Sequence, residues 1–187
     1  MEDPYLIATA SLLLVAGHET TVNLLGNGML TLLRHPALLE RLRNTPDLIP
    51  FAVEELLRYE PPAQFLPKRT TLDEIALAGT TIPKGAFLTL ALAAGNRDPA
   101  RFADPDRFDP ERRDNQHLGF GSGIHSCFGA PLARMEVQIA LTELVRRLEQ
   151  PRLVVDPPPY GPSPVLRGPA HLLIEVEGVR ESQESSH

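Results

Sequence analysis

Apolar residues run almost unbroken from Tyr5 to Gly17 and continue at wider spacing to Leu33, which predicts one long helix over residues 5–33. Pro36 opens a shorter helix carrying Leu38, Leu39 and Leu42, because proline suits a first helical turn. A third helix carries Glu55 and Arg58, three positions apart and so on one face, and Pro61 and Pro62 end it. A β-rich stretch follows, with Ile82-Pro83-Lys84-Gly85 as a turn and residues 86–94 as a mostly apolar strand. Residues 98–115 are rich in Asp, Pro and Arg and read as an irregular meander. A helix over residues 131–149 has apolar residues on more than one face (Leu132, Met135, Ile139, Leu144, Leu148), which implies burial on several sides. Residues 157–169 form a proline-rich loop, and residues 172–176 return as a strand. The pattern is mainly α with a minor β region. Residues 1–179 read as one domain and residues 180–187 as a disordered tail.

Composition narrows the class. A chain of 187 residues can bury one real core. Its net charge of −6 argues against a general nucleic-acid partner. One cysteine allows no intramolecular disulfide framework, which points to a reducing compartment. The opening Met1-Glu2-Asp3-Pro4 is acidic, unlike a secretory signal. The apolar run over residues 5–17 falls short of the roughly 20 residues that span a bilayer. A cytoplasmic protein without a membrane segment is therefore expected.

The single cysteine lies in Phe120-Gly121-Ser122-Gly123-Ile124-His125-Ser126-Cys127-Phe128-Gly129. The glycines let backbone approach a ligand closely and permit positive φ, and Phe120 adds an aromatic face. Cys127 precedes a helix whose free N–H groups and positive end favour a thiolate. A lone cysteine is ordinarily a small buried hydrophobe. A Cys127–His125 catalytic pair lacks an evident orienting group. Zinc is a poor fit, with no second cysteine in the chain.

Three other motifs accompany this loop. Ala16-Gly17-His18-Glu19-Thr20-Thr21 places an acid beside two hydroxyls inside an apolar helix, which is costly unless something uses it. Thr20 can bond a carbonyl one turn back or release it to water. Glu19 and Thr20 could together relay protons; a helix kink with a solvated glutamate reads equally well from the same residues. Glu55 and Arg58 form a helical acid–base pair, a pattern that usually sits on a solvated face. Asp109-Pro110-Glu111-Arg112 supplies a further arginine, and if Arg112 reaches the pair the three make a buried charge network that must be fully paired.

In this order the motifs resemble those of the haem-thiolate monooxygenases, the cytochrome P-450 family. The match runs through Glu19-Thr20, Glu55-x-x-Arg58, Arg112 after Pro-Glu, and Phe120-x-x-Gly123-x-His125-x-Cys127-x-Gly129. The resemblance implies the C-terminal half of that fold: a long distal helix, the Glu-x-x-Arg helix, a small sheet, the cysteine loop and a proximal helix. It implies haem b with Cys127 as the axial ligand to iron, and Glu19 and Thr20 as the pair managing oxygen and protons. It implies Glu55, Arg58 and Arg112 as a structural triad. Arg69 and His125 fall where the family binds haem propionates (Lys68 being the alternative to Arg69), and Phe120, Gly121, Gly123 and Gly129 shape the cofactor loop. His125, with Asn96-Arg97-Asp98-Pro99 and Glu54-Glu55-Leu56-Leu57-Arg58-Tyr59, is similar to soluble bacterial members. Those take electrons from NAD(P)H through a ferredoxin reductase and a ferredoxin.

The chain is about half as long as family members, and the resemblance covers residues 1–179 of it. The N-terminal half, which packs against the long helix and adds propionate contacts, is expected to be missing through truncation, fragmentation or a split protein. By the same resemblance Ala16, Phe65, Val165 and Leu166 face a hydrophobic small-molecule substrate, although core packing selects the same residues. Three functions stay open. One is insertion of an oxygen atom from O2 into that substrate. The second is a peroxide-driven oxidation or coupling on the same scaffold. The third is a non-catalytic remnant that does not retain haem.

Overall fold

The computed structural model describes residues 4–181. Five helices occur among them: α1 (Pro4–Arg34), α2 (Pro36–Asn44), α3 (Ile49–Tyr59), the short α4 (Leu92–Gly95) and α5 (Ala130–Arg147). Eight short strands pair two by two, all antiparallel. They are β1 (Phe65–Thr70) with β4 (Phe87–Ala91), β2 (Ile75–Leu77) with β3 (Thr80–Ile82), β5 (Leu148–Glu149) with β8 (Gly178–Val179), and β6 (Arg152–Leu153) with β7 (Ile174–Glu175).

The core forms where the second half of α1 meets α2, α3 and α5. Leu24, Leu32, Leu42, Val53, Leu56, Leu57, Val137 and Leu141 are all buried there. Each buried leucine contributes ~1.5–3 kcal/mol relative to an exposed one. Gly28 permits a close approach of α1 to α3: a Cβ there would meet Leu56 Cδ1 at 2.9 Å. Asn27, buried in the same stretch, donates from Nδ2 to the carbonyls of Glu60 (3.2 Å) and Arg167 (3.0 Å). It thereby ties the end of α3 and the 163–169 turn to α1. That turn also pairs with the strand entry through Gln64 N to Val165 O and Arg167 N to Pro62 O, both 2.8 Å.

Four expectations need correction. α5 ends at Arg147, and Leu148 and Glu149 turn extended because they pair with Val179 and Gly178. α5 is buried on one face only, through Ala130, Val137, Leu141 and Val145, while Leu132, Met135 and Ile139 are 53–61 % exposed. The expected strand over 86–94 stops at Ala91, where β1 runs out of partners and the chain folds into α4. Finally, α1 runs unbroken through Gly17, so its apolar reach is longer than the 5–17 run. By length and composition alone it could cross a membrane, with a mean hydropathy of 1.2 over an 18-residue window, all of it unburied within the chain. Of the expected tail, Arg180 is held by Glu149 and by the Arg147 carbonyl, and residues 182–187 lie outside the described ones.

Candidate functional site

The Glu55–Arg58 pair sits at the centre of the site. Arg58 Nε and Nη2 donate to the two carboxylate oxygens of Glu55, each at 2.8 Å, and both side chains are fully buried. Arg58 spends its other donors on backbone carbonyls: Asn96 (2.9 Å), Pro105 (2.8 Å) and Arg107 (3.1 Å). All five guanidinium N–H groups are thus used, the condition under which a buried arginine is tolerated. Glu55 Oε1 also accepts from Asp109 N at 2.9 Å and from Arg112 Nε at 3.3 Å. Arg112 in turn donates to the carbonyls of Ala103, Asp104 and Arg107. The three residues therefore meet, and what they hold is the irregular stretch from Asn96 to Arg112.

The cysteine loop follows that stretch. Gly121 and Gly123 adopt φ of 70° and 72°, a left-handed conformation that side chains resist. A short 3-10 turn over Gly123–His125 then carries the chain to Cys127, whose N–H donates to Phe120 O at 2.9 Å. Cys127 is exposed, three residues ahead of α5, with its carbonyl accepting from Ala130 N. A Cβ on Gly129 would lie 3.8 Å from the sulfur, so glycine leaves that side of the thiol open. Around it Ile124 is 97 % and Phe128 83 % exposed. His125 is exposed and carries no hydrogen bond or ion pair among the described residues.

The remaining sequence-selected residues lie apart from the buried node. Thr20 Oγ1 donates to Ala16 O at 2.7 Å, one turn back, so the helix stays closed at this point. Glu19 and Ala16 are exposed, and a Cβ on Gly17 would meet nothing within 4 Å. Arg69 lies on β1, exposed, just past an irregularity where Lys68 takes a φ of 58°. Phe65 starts β1, opposite Ala91. Val165 and Leu166 are half-buried in the 163–169 turn, and Leu166 bridges to Ala63.

Sequence reasoning missed a second cluster. Glu54, the neighbour of Glu55, takes a two-pronged bond from Arg134 (Nε at 2.6 Å, Nη2 at 2.9 Å) and lies 3.1 Å from His117 Nε2. Burial pushes its carboxyl up, but the bonds from His117 and Arg134 outweigh this and hold it down at about 2. It also missed Asn96, fully buried, whose side chain donates to Leu57 O and accepts from Leu118 N. The available signal was proximity: Glu54 adjoins Glu55, and Asn96 precedes an Arg-Asp-Pro run.

Comparison with known proteins bears on this arrangement. A sequence model described as Cytochrome P450 matches residues 1–175. Cytochrome P450 107B1 of Saccharopolyspora erythraea is 51 % identical over 152 residues, 81 % of this chain and 38 % of that protein. Cytochrome P450 monooxygenase PikC of Streptomyces venezuelae is 46 % identical over 181 residues, 95 % of this chain and 43 % of its own length. Among solved structures, the tirandamycin C-bound P450 monooxygenase TamI superposes with a TM-score of 0.88 at 44 % identity, covering 91 % of this chain and 43 % of that one. The chain thus spans about two-fifths of the length of the curated relatives it matches.

Proposed function

The chain belongs to the cytochrome P450 family, and from that premise we propose that it is the C-terminal, thiolate-bearing part of a haem-thiolate monooxygenase. The observation that carries this is the exposed Cys127, presented by a left-handed glycine loop that follows the stretch held by the fully paired Glu55–Arg58 node. The residues present fit haem. A single exposed thiol suits an iron whose remaining ligands come from a porphyrin. The apolar rim of Ile124 and Phe128 and the open sides of Gly123 and Gly129 suit a flat, largely apolar group. Arg69 as a cation and His125 as a donor imidazole, both exposed, are assigned to its propionates.

When bound, thiolate-ligated haem supplies the activation of O2. The chain's own residues then hold and move protons. Thr20 can exchange its bond to Ala16 O for one to a water, and exposed Glu19 beside it can pass a proton inward. Val165, Leu166, Phe65 and Ala16 would line an apolar substrate site, oriented through the turn that Asn27 fixes. The proposed reaction inserts one oxygen atom into a hydrophobic small molecule, with electrons from NAD(P)H through a ferredoxin reductase and ferredoxin, in the cytoplasm. Residues 1–179 act as one unit in this reading.

A second reading is favoured by the exposed apolar face of α1: Leu6 is 69 %, Leu12 65 % and Leu14 72 % exposed. Such a surface suits a polypeptide partner equivalent to the remaining length of the relatives, and without it the 187-residue chain would not retain haem. One experiment separates the two. Haemin is added to the purified chain, which is reduced and exposed to carbon monoxide. A strongly red-shifted Soret band supports thiolate ligation by this chain; an unshifted band or unbound haemin supports the incomplete form.

A further inference from the structure

We propose that Glu54 is a positioning residue for the cysteine loop, acting through Arg134 and His117. This rests on the reading of Cys127 as the iron ligand. Glu54 and Glu55 are consecutive on α3, so they point about 100° apart around the helix. Glu55 faces the meander, where it meets Arg58, Asp109 N and Arg112. Glu54 faces α5 and the loop entry instead.

There its carboxylate is a shared acceptor. The fork from Arg134 is the strong, planar kind of charge-assisted pair. His117 is oriented from both sides: Gly119 N–H donates to Nδ1 at 3.1 Å, which leaves Nε2 as the protonated nitrogen that donates to Glu54. The guanidinium carbon of Arg134 lies 4.6 Å from the centre of the Phe120 ring, and the His117 ring lies 6.1 Å from it. Phe120 O then accepts the Cys127 N–H. Leu118, between these points, is held by Asn96 Oδ1 at 2.7 Å. Glu54 therefore reaches Phe120 through both Arg134 and His117, and Phe120 O passes that hold on to the Cys127 N–H. Arg134 is also within electrostatic reach of Cys127. Glu54 thus fixes the loop entry and, by half-neutralising Arg134, sets how much positive charge the sulfur feels.

The test is Glu54→Gln in the 187-residue chain. The amide is isosteric and keeps an acceptor for His117, but it cannot form the charged fork. Without haem, amide hydrogen exchange over residues 117–129 should rise on the order of tenfold, with the cores of α3 and α5 exchanging at wild-type rates. Unchanged exchange over 117–129 overturns the proposal. In the haemin-loaded chain, unneutralised Arg134 should move the ferric–ferrous midpoint positive by about 59 mV, a tenfold change for one electron. Adding Arg134→Gln should cancel that shift, which a purely structural role would not do. An unmoved midpoint in a chain that does ligate haem also overturns the proposal. A wild-type chain without a thiolate spectrum supports the incomplete form instead, and the exchange result then decides Glu54 by itself.

Discussion

Arg58 and Glu55 are joined by two bonds of 2.8 Å, and neither side chain has any exposure to solvent. Glu55→Ala would leave a buried guanidinium with only carbonyl partners. Removing one member of a buried pair costs ~3–5 kcal/mol. Chemical denaturation of the variant should show a loss of that size, and haemin uptake should fall with it. A variant that melts like the wild type would mean that the pair contributes little to this fold.

Cys127 makes its contacts through the backbone and is exposed. Cys127→Ser should therefore melt within about 0.5 kcal/mol of the wild type. Its haemin–carbon monoxide spectrum should lose the red-shifted band. A variant with an unaltered spectrum would remove Cys127 from the ligand role.

Acid should weaken the fold partly through Glu54. Its carboxyl sits at about 2 in the folded chain against an ordinary 4.5. Between those values the unfolded chain binds the extra proton, so the stabilisation is complete above about pH 4.5 and is lost as the pH falls toward 2. Because the group is partly exposed, solvent screening trims the effect to ~1–2 kcal/mol. Denaturation at about pH 5 and about pH 3 should show a smaller difference in Glu54→Gln than in the wild type. Equal differences would show that the Arg134 fork contributes nothing.

Gly168 lies against Asn23, where a new Cβ would stand 2.2 Å from Oδ1 and 2.9 Å from the Asn23 Cβ. Gly168→Ala should destabilise by ~1–3 kcal/mol, since the clash includes the base of the Asn23 side chain and not only its tip. Asn23→Ala in the same chain removes Oδ1 and Cγ but keeps the Asn23 Cβ, so it should recover part of the loss, as a double-mutant cycle would measure. Strictly additive effects would mean that the 163–169 turn moves away from α1 to relieve the clash.

The elements that were legible in the linear chain owe this to short-range physics. Hydrophobic period, proline stops and glycine turns act within a few residues, so α1, α2, α3 and the Ile82–Gly85 turn could be read directly. The cysteine loop was legible too, since positive φ at Gly121 and Gly123 needs glycine wherever the loop is placed. The burial of Glu55 and Arg58 was not, because a helical acid–base pair three apart has the same spelling on a solvated face. Asn96, Pro105, Arg107 and Asp109 make that pair a core feature, and they come from 38 to 54 residues away. The same distance hid the Glu54–Arg134 fork, which spans 80 residues, and the Asn27–Arg167 clamp, which spans 140. It also cut α5 short at Arg147, where pairing with a strand some thirty residues later outweighed the helical preference of Leu148 and Glu149. Local chemistry thus specified which residues could serve, and long-range packing specified which of them meet, because a side chain's partner depends on backbone that the chain brings in from elsewhere.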